Sequence, residues 1–354
     1  MHGGDIYNNS VDMDFSVNLN PYPKFIKDEA ALKTAIDEGI RAAVNYPDIA
    51  QGGVRNAIAE AERLPASCVY AGSGASELLM AVTSLIKPKK ALLIEPCYSG
   101  YKHALGDCEI KRYVLKEENG FEWDEKVTDE VTGMLSADID IVFLQNPVNP
   151  TGNCVDRALI YKIIKKAESL NITVVYDLSF YMLSDDSDAK GGISEIPDNV
   201  FAIGSYTKSF ALPGLRMGYV MAARKNIDAI IPYLPEWNLS SVATSVMKEC
   251  ASICKRGMYL SESREYIRNE REFLSGELTK LGFKVYKSNT VFLLVKDING
   301  RYGNLYERLL DKRILIRKCD DFCGLDNEHY RIAVRTHEEN QTLIDEIRQM
   351  TYEY

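Results

Sequence analysis

The stretch Gly204-Ser205-Tyr206-Thr207-Lys208-Ser209-Phe210-Ala211-Leu212-Pro213-Gly214-Leu215-Arg216-Met217-Gly218-Tyr219 decides how the rest of the chain is read. It sets one lysine among small and apolar residues and follows it, past Pro213-Gly214, with one arginine. Desolvation in such company favours the neutral amine, which lowers the lysine pKa and makes it a nucleophile toward an aldehyde. The arginine offers a planar cation suited to a phosphate. A lysine at a helix start is ordinarily a solvated surface group. The order S-x-x-K-x(7)-R argues otherwise here. A phosphate-bearing aldehyde held as a Schiff base on lysine describes pyridoxal 5′-phosphate.

Working outward, Phe201-Ala202-Ile203-Gly204 reads as the strand that delivers Lys208. Ile172 to Tyr176 is a second apolar strand, and Asp177 ends it. A carboxylate there is costly unless paired, and a pyridinium N–H would pair it; a helix cap or strand-end carboxylate is the plainer alternative. Ile141-Val142-Phe143-Leu144 runs into Gln145-Asn146-Pro147-Val148-Asn149-Pro150-Thr151-Gly152. The prolines and glycine make a rigid loop at the strand's carboxyl end, where open α/β sheets place ligands. Ala91 to Ile94 leads to Glu95-Pro96-Cys97-Tyr98-Ser99-Gly100-Tyr101. Cys68 to Ala71 leads to a glycine-rich turn, Gly72-Ser73-Gly74-Ala75-Ser76, that enters a helix. Free amides and a positive dipole end suit phosphate there. The turn lacks the third glycine of a dinucleotide fingerprint and the lysine of a Walker loop. With Arg216, it is expected to cradle a cofactor phosphate through Gly74, Ala75 and Ser76. Strands and helices alternate from about residue 66 to residue 220, which predicts a largely parallel sheet with helices on both faces.

The lysine segment and the N-P-x-N-P-T-G string resemble those of pyridoxal phosphate-dependent aminotransferases of fold type I, class I/II. The branch they resemble holds histidinol-phosphate aminotransferase and threonine-phosphate decarboxylase. The resemblance implies the aspartate aminotransferase-like fold: an α/β large domain with a mostly parallel seven-stranded sheet, and a smaller C-terminal α/β domain. It implies that Lys208 carries the cofactor and moves the proton, and that Asp177 pairs with the pyridine nitrogen. Asn149 is expected to bind the 3′-oxygen and Tyr98 to stack on the ring. Ser205, Thr207 and Arg216 join the cofactor-binding set. Tyr46, in Asn45-Tyr46-Pro47-Asp48, is expected to reach the cofactor phosphate of a neighbouring subunit, so the resemblance implies a homodimer with shared active sites.

Substrate contacts follow from the same likeness. Arg331, in Arg331-Ile332-Ala333-Val334-Arg335, matches the arginine that grips the α-carboxylate. A forked guanidinium suits that planar group. Arg335 stands where many aminotransferases have glycine and, with the opening His2-Gly3-Gly4-Asp5, resembles the decarboxylase. An arm folding over the site is expected, with His2 and Asn18 touching substrate and Arg335 facing a distal anionic group. One segment departs from the common D-E-A-Y: this chain reads Asp177-Leu178-Ser179-Phe180. Phe180 has no hydroxyl for the 3′-oxygen, and Tyr181 is one residue off.

Length and composition bound the rest. A chain of 354 residues predicts more than one core. The expected division is an arm over residues 1–30, a large cofactor-binding domain over 31–240, and a long helix with a small domain over 241–354. Ser240 to Leu281 reads as helix bent near Gly257. A net charge of −9 argues against nonspecific nucleic-acid binding. The cysteines repeat a C-x3-C spacing at Cys250/Cys254 and Cys319/Cys323 without the histidines a zinc site wants, so free thiols and a reducing compartment are expected. No apolar stretch suits a signal peptide or a membrane helix, and a cytoplasmic protein is expected. The function expected first is an aminotransferase acting on a small amino acid or amine, phosphorylated or phosphonylated. The alternative is an L-threonine-O-3-phosphate decarboxylase, and a remote third is a non-catalytic regulator built on the same fold.

Overall fold

The computed structural model describes residues 3–22, 30–185, 196–298 and 300–350. Seven strands form the main sheet: β2 (Val69–Ser73), β3 (Lys90–Glu95), β4 (Glu109–Val114), β5 (Ile141–Gln145), β6 (Thr173–Asp177), β7 (Val200–Ser205) and β8 (Met217–Ala222). A two-residue strand, β1 (Met13–Asp14), precedes them. The sheet order is β2-β8-β7-β6-β5-β3-β4, and only β8 runs antiparallel to its neighbours.

The apolar strands are buried on both faces. Leu92 and Ile94 of β3 enter one core while Ala91 and Leu93 enter the other. Val142 and Leu144 of β5 alternate in the same way with Ile141 and Phe143. Successive side chains of a strand point to opposite faces, so a continuous apolar run demands cover on both sides. Helices supply it. In Arg157–Ser169, Ile160, Ile163, Ile164 and Ala167 form the buried stripe, and the Asp156 side chain caps the start by accepting from Ala158 N.

Two strands escaped the sequence reading, each for a physical reason. β4 is an edge strand whose Glu109, Lys111 and Arg112 break up its apolar pattern; charged edges protect sheets from further pairing. β8 begins so soon after β7 that no crossover helix fits between them, so it returns antiparallel. The helix Glu125–Met134 also lay outside the sequence reading.

The chain leaves the sheet through helix Ser241–Arg256, breaks at Gly257 (φ 78°) and resumes as Met258–Lys280. The bend thus falls at the expected glycine. The smaller domain holds β9 (Lys284–Val285), β10 (Phe292–Lys296), β12 (Arg317–Lys318) and β13 (His329–Ala333) in an antiparallel sheet of order β12-β13-β10-β9. The strand expected over Ile314 to Arg317 is split. Its first part, β11 (Ile314–Leu315), pairs instead with β1 of the arm. Phe15 follows β1 into the small-domain core and is fully buried. The arm is thereby anchored before it reaches the site.

Candidate active site

The ends of the parallel strands converge on one cavity of about 250 Å³. Ala75 and Ser76 enter from after β2, Tyr98 from after β3, Asn149 from after β5 and Asp177 from β6. Ser205, Thr207 and Lys208 enter from β7, Arg216 from just before β8, Arg331 from β13 and Asn18 from the arm.

Lys208 sits on a single helical turn, Tyr206–Ser209. The Ser205 hydroxyl accepts from Thr207 N (3.2 Å) and donates to the Met217 carbonyl (3.0 Å). The Thr207 hydroxyl accepts from Met217 N (3.1 Å). Both hydroxyls therefore bind the lysine turn to the residue after Arg216, fixing lysine and arginine relative to each other. Burial lowers the Lys208 pKa from 10.5 to about 8, and the cations Arg331 and Arg216 add to the effect. A lowered amine pKa means the proton leaves earlier as pH rises. Imine formation by Lys208 with an added aldehyde should rise from pH 7 to 9 with a midpoint near 8. A rate that is still climbing steeply above pH 10 would contradict this.

Asp177 is buried, with each carboxylate oxygen engaged. Oδ2 accepts from the Tyr101 hydroxyl (2.7 Å) and Oδ1 from Ser179 N (2.9 Å). Gln145 Oε1 accepts from Asn149 N (3.2 Å) and lies 3.4 Å from the Tyr101 hydroxyl. Asn149 Oδ1 accepts from Arg331 Nη1 (2.7 Å), which leaves its amide NH2 as the donor to the cavity. Arg331 Nη2 donates to the Ser16 carbonyl (2.7 Å). Two buried polar atoms of the lining, Arg331 Nε and Asn18 Oδ1, have no hydrogen-bond partner. Such groups are costly to bury and mark where a polar ligand belongs.

Gly74 lies behind the cavity at the start of helix Ala75–Ile86, at φ 84°. A Cβ there would come within 2.6 Å of Arg216 Nη2, so only glycine lets the guanidinium close on the helix start. Amide groups, a helix N-terminus and a guanidinium together form an anion cradle. Phe180 flanks the lysine, its ring centroid 5.9 Å from Lys208 Nζ, and packs edge-on against Phe292. Tyr181 gives its hydroxyl to Glu62 (2.9 Å) and does not line the cavity.

Some expected residues lie elsewhere. Arg335 does not line the cavity: Nη2 and Nε both donate to Glu339 Oε1 (2.7 and 3.2 Å), a pair at the start of helix His337–Met350. The contact expected with a distal substrate group is therefore not formed from the cavity lining as it stands. Tyr46 is 81% exposed and packs tilted against Trp237, ring centroids 4.8 Å apart, outside the cavity. His2 lies outside the described residues.

The sequence reading missed Arg317, which does line the cavity. It is buried, stands opposite Arg331 in the β12–β13 register, and binds both Asp321 carboxylate oxygens at 2.8 Å. An arginine ending the apolar run Ile314-Leu315-Ile316 was the available signal, but only the register sets it beside Arg331. Phe322, Ser179 and Gln145 are among the other lining residues that the sequence reading did not assign to the site.

The chain belongs to the aminotransferase class I and II family, whose model matches residues 10–347. Threonine-phosphate decarboxylase of Salmonella typhimurium is 30% identical over 345 residues, covering 95% of this chain and 90% of the relative. The adenosylcobalamin biosynthesis bifunctional protein of Leptospira interrogans is 31% identical over 99% of this chain, which spans 41% of that relative's length. The solved histidinol-phosphate aminotransferase of Clostridium acetobutylicum has a TM-score of 0.84 and 27% identity, covering 97% of this chain and all of that one. Fold and family are those expected from the lysine and N-P-x-N-P-T-G segments. No helix among the described residues is long and apolar enough to cross a membrane.

Proposed function

We propose that this protein binds pyridoxal 5′-phosphate at Lys208 and acts on a small amino acid that carries a second anionic group, such as a phosphate. The observation that carries this reading is the pairing of Arg317 with Arg331 in the lysine cavity. Two guanidinium groups side by side in a buried place repel each other, and Asp321 hydrogen-bonds only Arg317. A substrate with a carboxylate and a phosphate would offset both. The residues present fit the cofactor: an anion cradle at Gly74, Ala75, Ser76 and Arg216, and a lysine shifted toward the neutral amine. Asn149 offers a donor for a ring oxygen, and Asp177 an acceptor for a ring N–H.

When bound, the cofactor supplies an electron sink for the bond broken at the substrate Cα. This chain's side chains do the rest. Asp177 would hold the ring proton, its carboxylate fixed by Tyr101 and Ser179. Arg331 orients the substrate carboxylate. Tyr98, which lines the cavity, would cover one face of the ring. Lys208, with its amine free, would take or return a proton at the substrate Cα.

Decarboxylation of L-threonine-O-3-phosphate or a close analogue is placed first. It is supported by decarboxylase relatives across nearly the whole chain and by Phe180, which gives no hydroxyl where common aminotransferases have one. Transamination, placed first from sequence alone, becomes the second reading, favoured by the likeness to the Clostridium enzyme. Incubation with L-threonine-O-3-phosphate separates them. Carbon dioxide with no need for an amino acceptor is expected; keto-acid formation that depends on an added 2-oxo acid would support transamination.

The exposed aromatic pair of Tyr46 and Trp237 supports a homodimer in which Tyr46 serves the neighbouring site. The arginines give a sharper test. A charge-assisted contact to a phosphate is worth about 1.5–3 kcal/mol, so Arg317→Ala should cost roughly tenfold to a hundredfold in kcat/KM for a phosphorylated substrate. Arg335→Ala removes an i,i+4 ion pair and should change kcat/KM by less than about twofold, since such pairs contribute only ~0.3–0.5 kcal/mol to stability. The reverse order of effects would return Arg335 to the site.

A further inference from the structure

Asn20 is assigned no role by the family resemblance or by the cavity lining, yet it is buried and makes contacts of one kind. Its backbone N–H donates to the carbonyl of Lys208 (3.0 Å). Its side-chain Nδ2 lies 2.9 Å from the Ser209 carbonyl, 2.7 Å from the Tyr259 hydroxyl and 3.0 Å from Ser263 Oγ. Its Oδ1 accepts from Tyr22 N (3.0 Å), which fixes the amide so that its donors face the lysine turn.

These contacts meet a need created by the helix itself. A single helical turn leaves its last carbonyls to groups that follow it or lie outside it. Those of Lys208 and Ser209 belong to a buried stretch, where unsatisfied carbonyls are costly. Close in sequence, the N–H groups of Phe210 and Ala211 (the latter at 3.3 Å) reach Lys208 O, and from helix Met258–Lys280 the Tyr259 hydroxyl donates to Ser209 O (3.0 Å). Asn20, distant in sequence, adds a donor to each of these carbonyls and ties the turn to Tyr259 and Ser263 on the same helix. The same arm gives its Ser16 carbonyl to Arg331 and lines the cavity with Asn18.

We infer that Asn20 is a positioning residue: it caps the lysine turn from the arm and holds Lys208 where its amine can reach the reacting carbon. Arm docking and lysine placement then form one unit. The inference rests on the reading of Lys208 as the cofactor-bearing lysine.

The test uses Asn20→Asp, which keeps the size but sets a carboxylate oxygen against the Ser209 carbonyl, and Asn20→Ala, which only deletes the donor. Apoprotein is mixed with pyridoxal 5′-phosphate, and the linkage is trapped with borohydride over time. Binding of pyridoxine 5′-phosphate, which has no aldehyde, is measured in parallel. Both variants should form the linkage about tenfold to a hundredfold more slowly, and kcat should fall by a similar factor with KM within about threefold. Pyridoxine 5′-phosphate affinity should stay within about twofold, because the phosphate cradle lies on other elements. Wild-type trapping rates in both variants would overturn the inference. So would a parallel loss of pyridoxine 5′-phosphate binding and of cooperative unfolding, which would make Asn20 merely structural. Wild-type protein that forms no linkage at Lys208 would instead remove the cofactor reading, and this inference with it.

Discussion

Replacing Lys208 by alanine should lower turnover by about 10²–10⁴-fold while leaving the protein folded, the range over which a positioned acid–base side chain accelerates proton transfer. The lysine reaches the cavity from a turn whose backbone is held by Ser205, Thr207 and Asn20, none of which depends on the ammonium. Its burial is unfavourable to the charged amine, so alanine removes a cost together with the function. The unfolding midpoint should therefore change little or rise, measured by thermal denaturation beside steady-state kinetics. Added primary amines should restore part of the rate if the loss is chemical. A variant that turns over at the parental rate, with cofactor content checked, would place the proton transfer on another residue.

Asp177→Ala is the second large effect. Its carboxylate is buried at the end of β6 and already accepts from Tyr101 and Ser179, so its position is set before any ligand arrives. Breaking a buried ion pair by removing one partner costs about 3–5 kcal/mol, equivalent to roughly a hundredfold to several thousandfold in rate. The loss should fall on kcat. Some cofactor should still bind, because Arg216 and the start of helix Ala75–Ile86 are untouched. Asp177→Asn, which keeps the Tyr101 contact but not the charge, should resemble the alanine variant. Full activity of either would show that the ring nitrogen has no need of a carboxylate here.

Much of the site was legible because its residues sit in short rigid strings at strand ends. Lys208, Asp177 and Asn149 each follow a continuous apolar run, and such runs announce buried parallel strands. Arg317 and Tyr101 were not legible as site residues for the opposite reason. Arg317 acts beside Arg331 only through the β12–β13 register, and Tyr101 reaches Asp177 across 76 positions of sequence. Arg335 shows the converse case. Its motif looked like a substrate contact, but Glu339 one helical turn away takes its guanidinium. Strand β4 was hidden by its own charges, which are the price of a safe edge.

The most direct test of Lys208 as the anchor is to incubate the wild-type protein with pyridoxal 5′-phosphate, reduce it with borohydride and map the modified peptide. A single reduced adduct on Lys208, in the peptide that also carries Thr207 and Ser209, is the expected result. An adduct on any other lysine, or none at Lys208 after reduction, would contradict it.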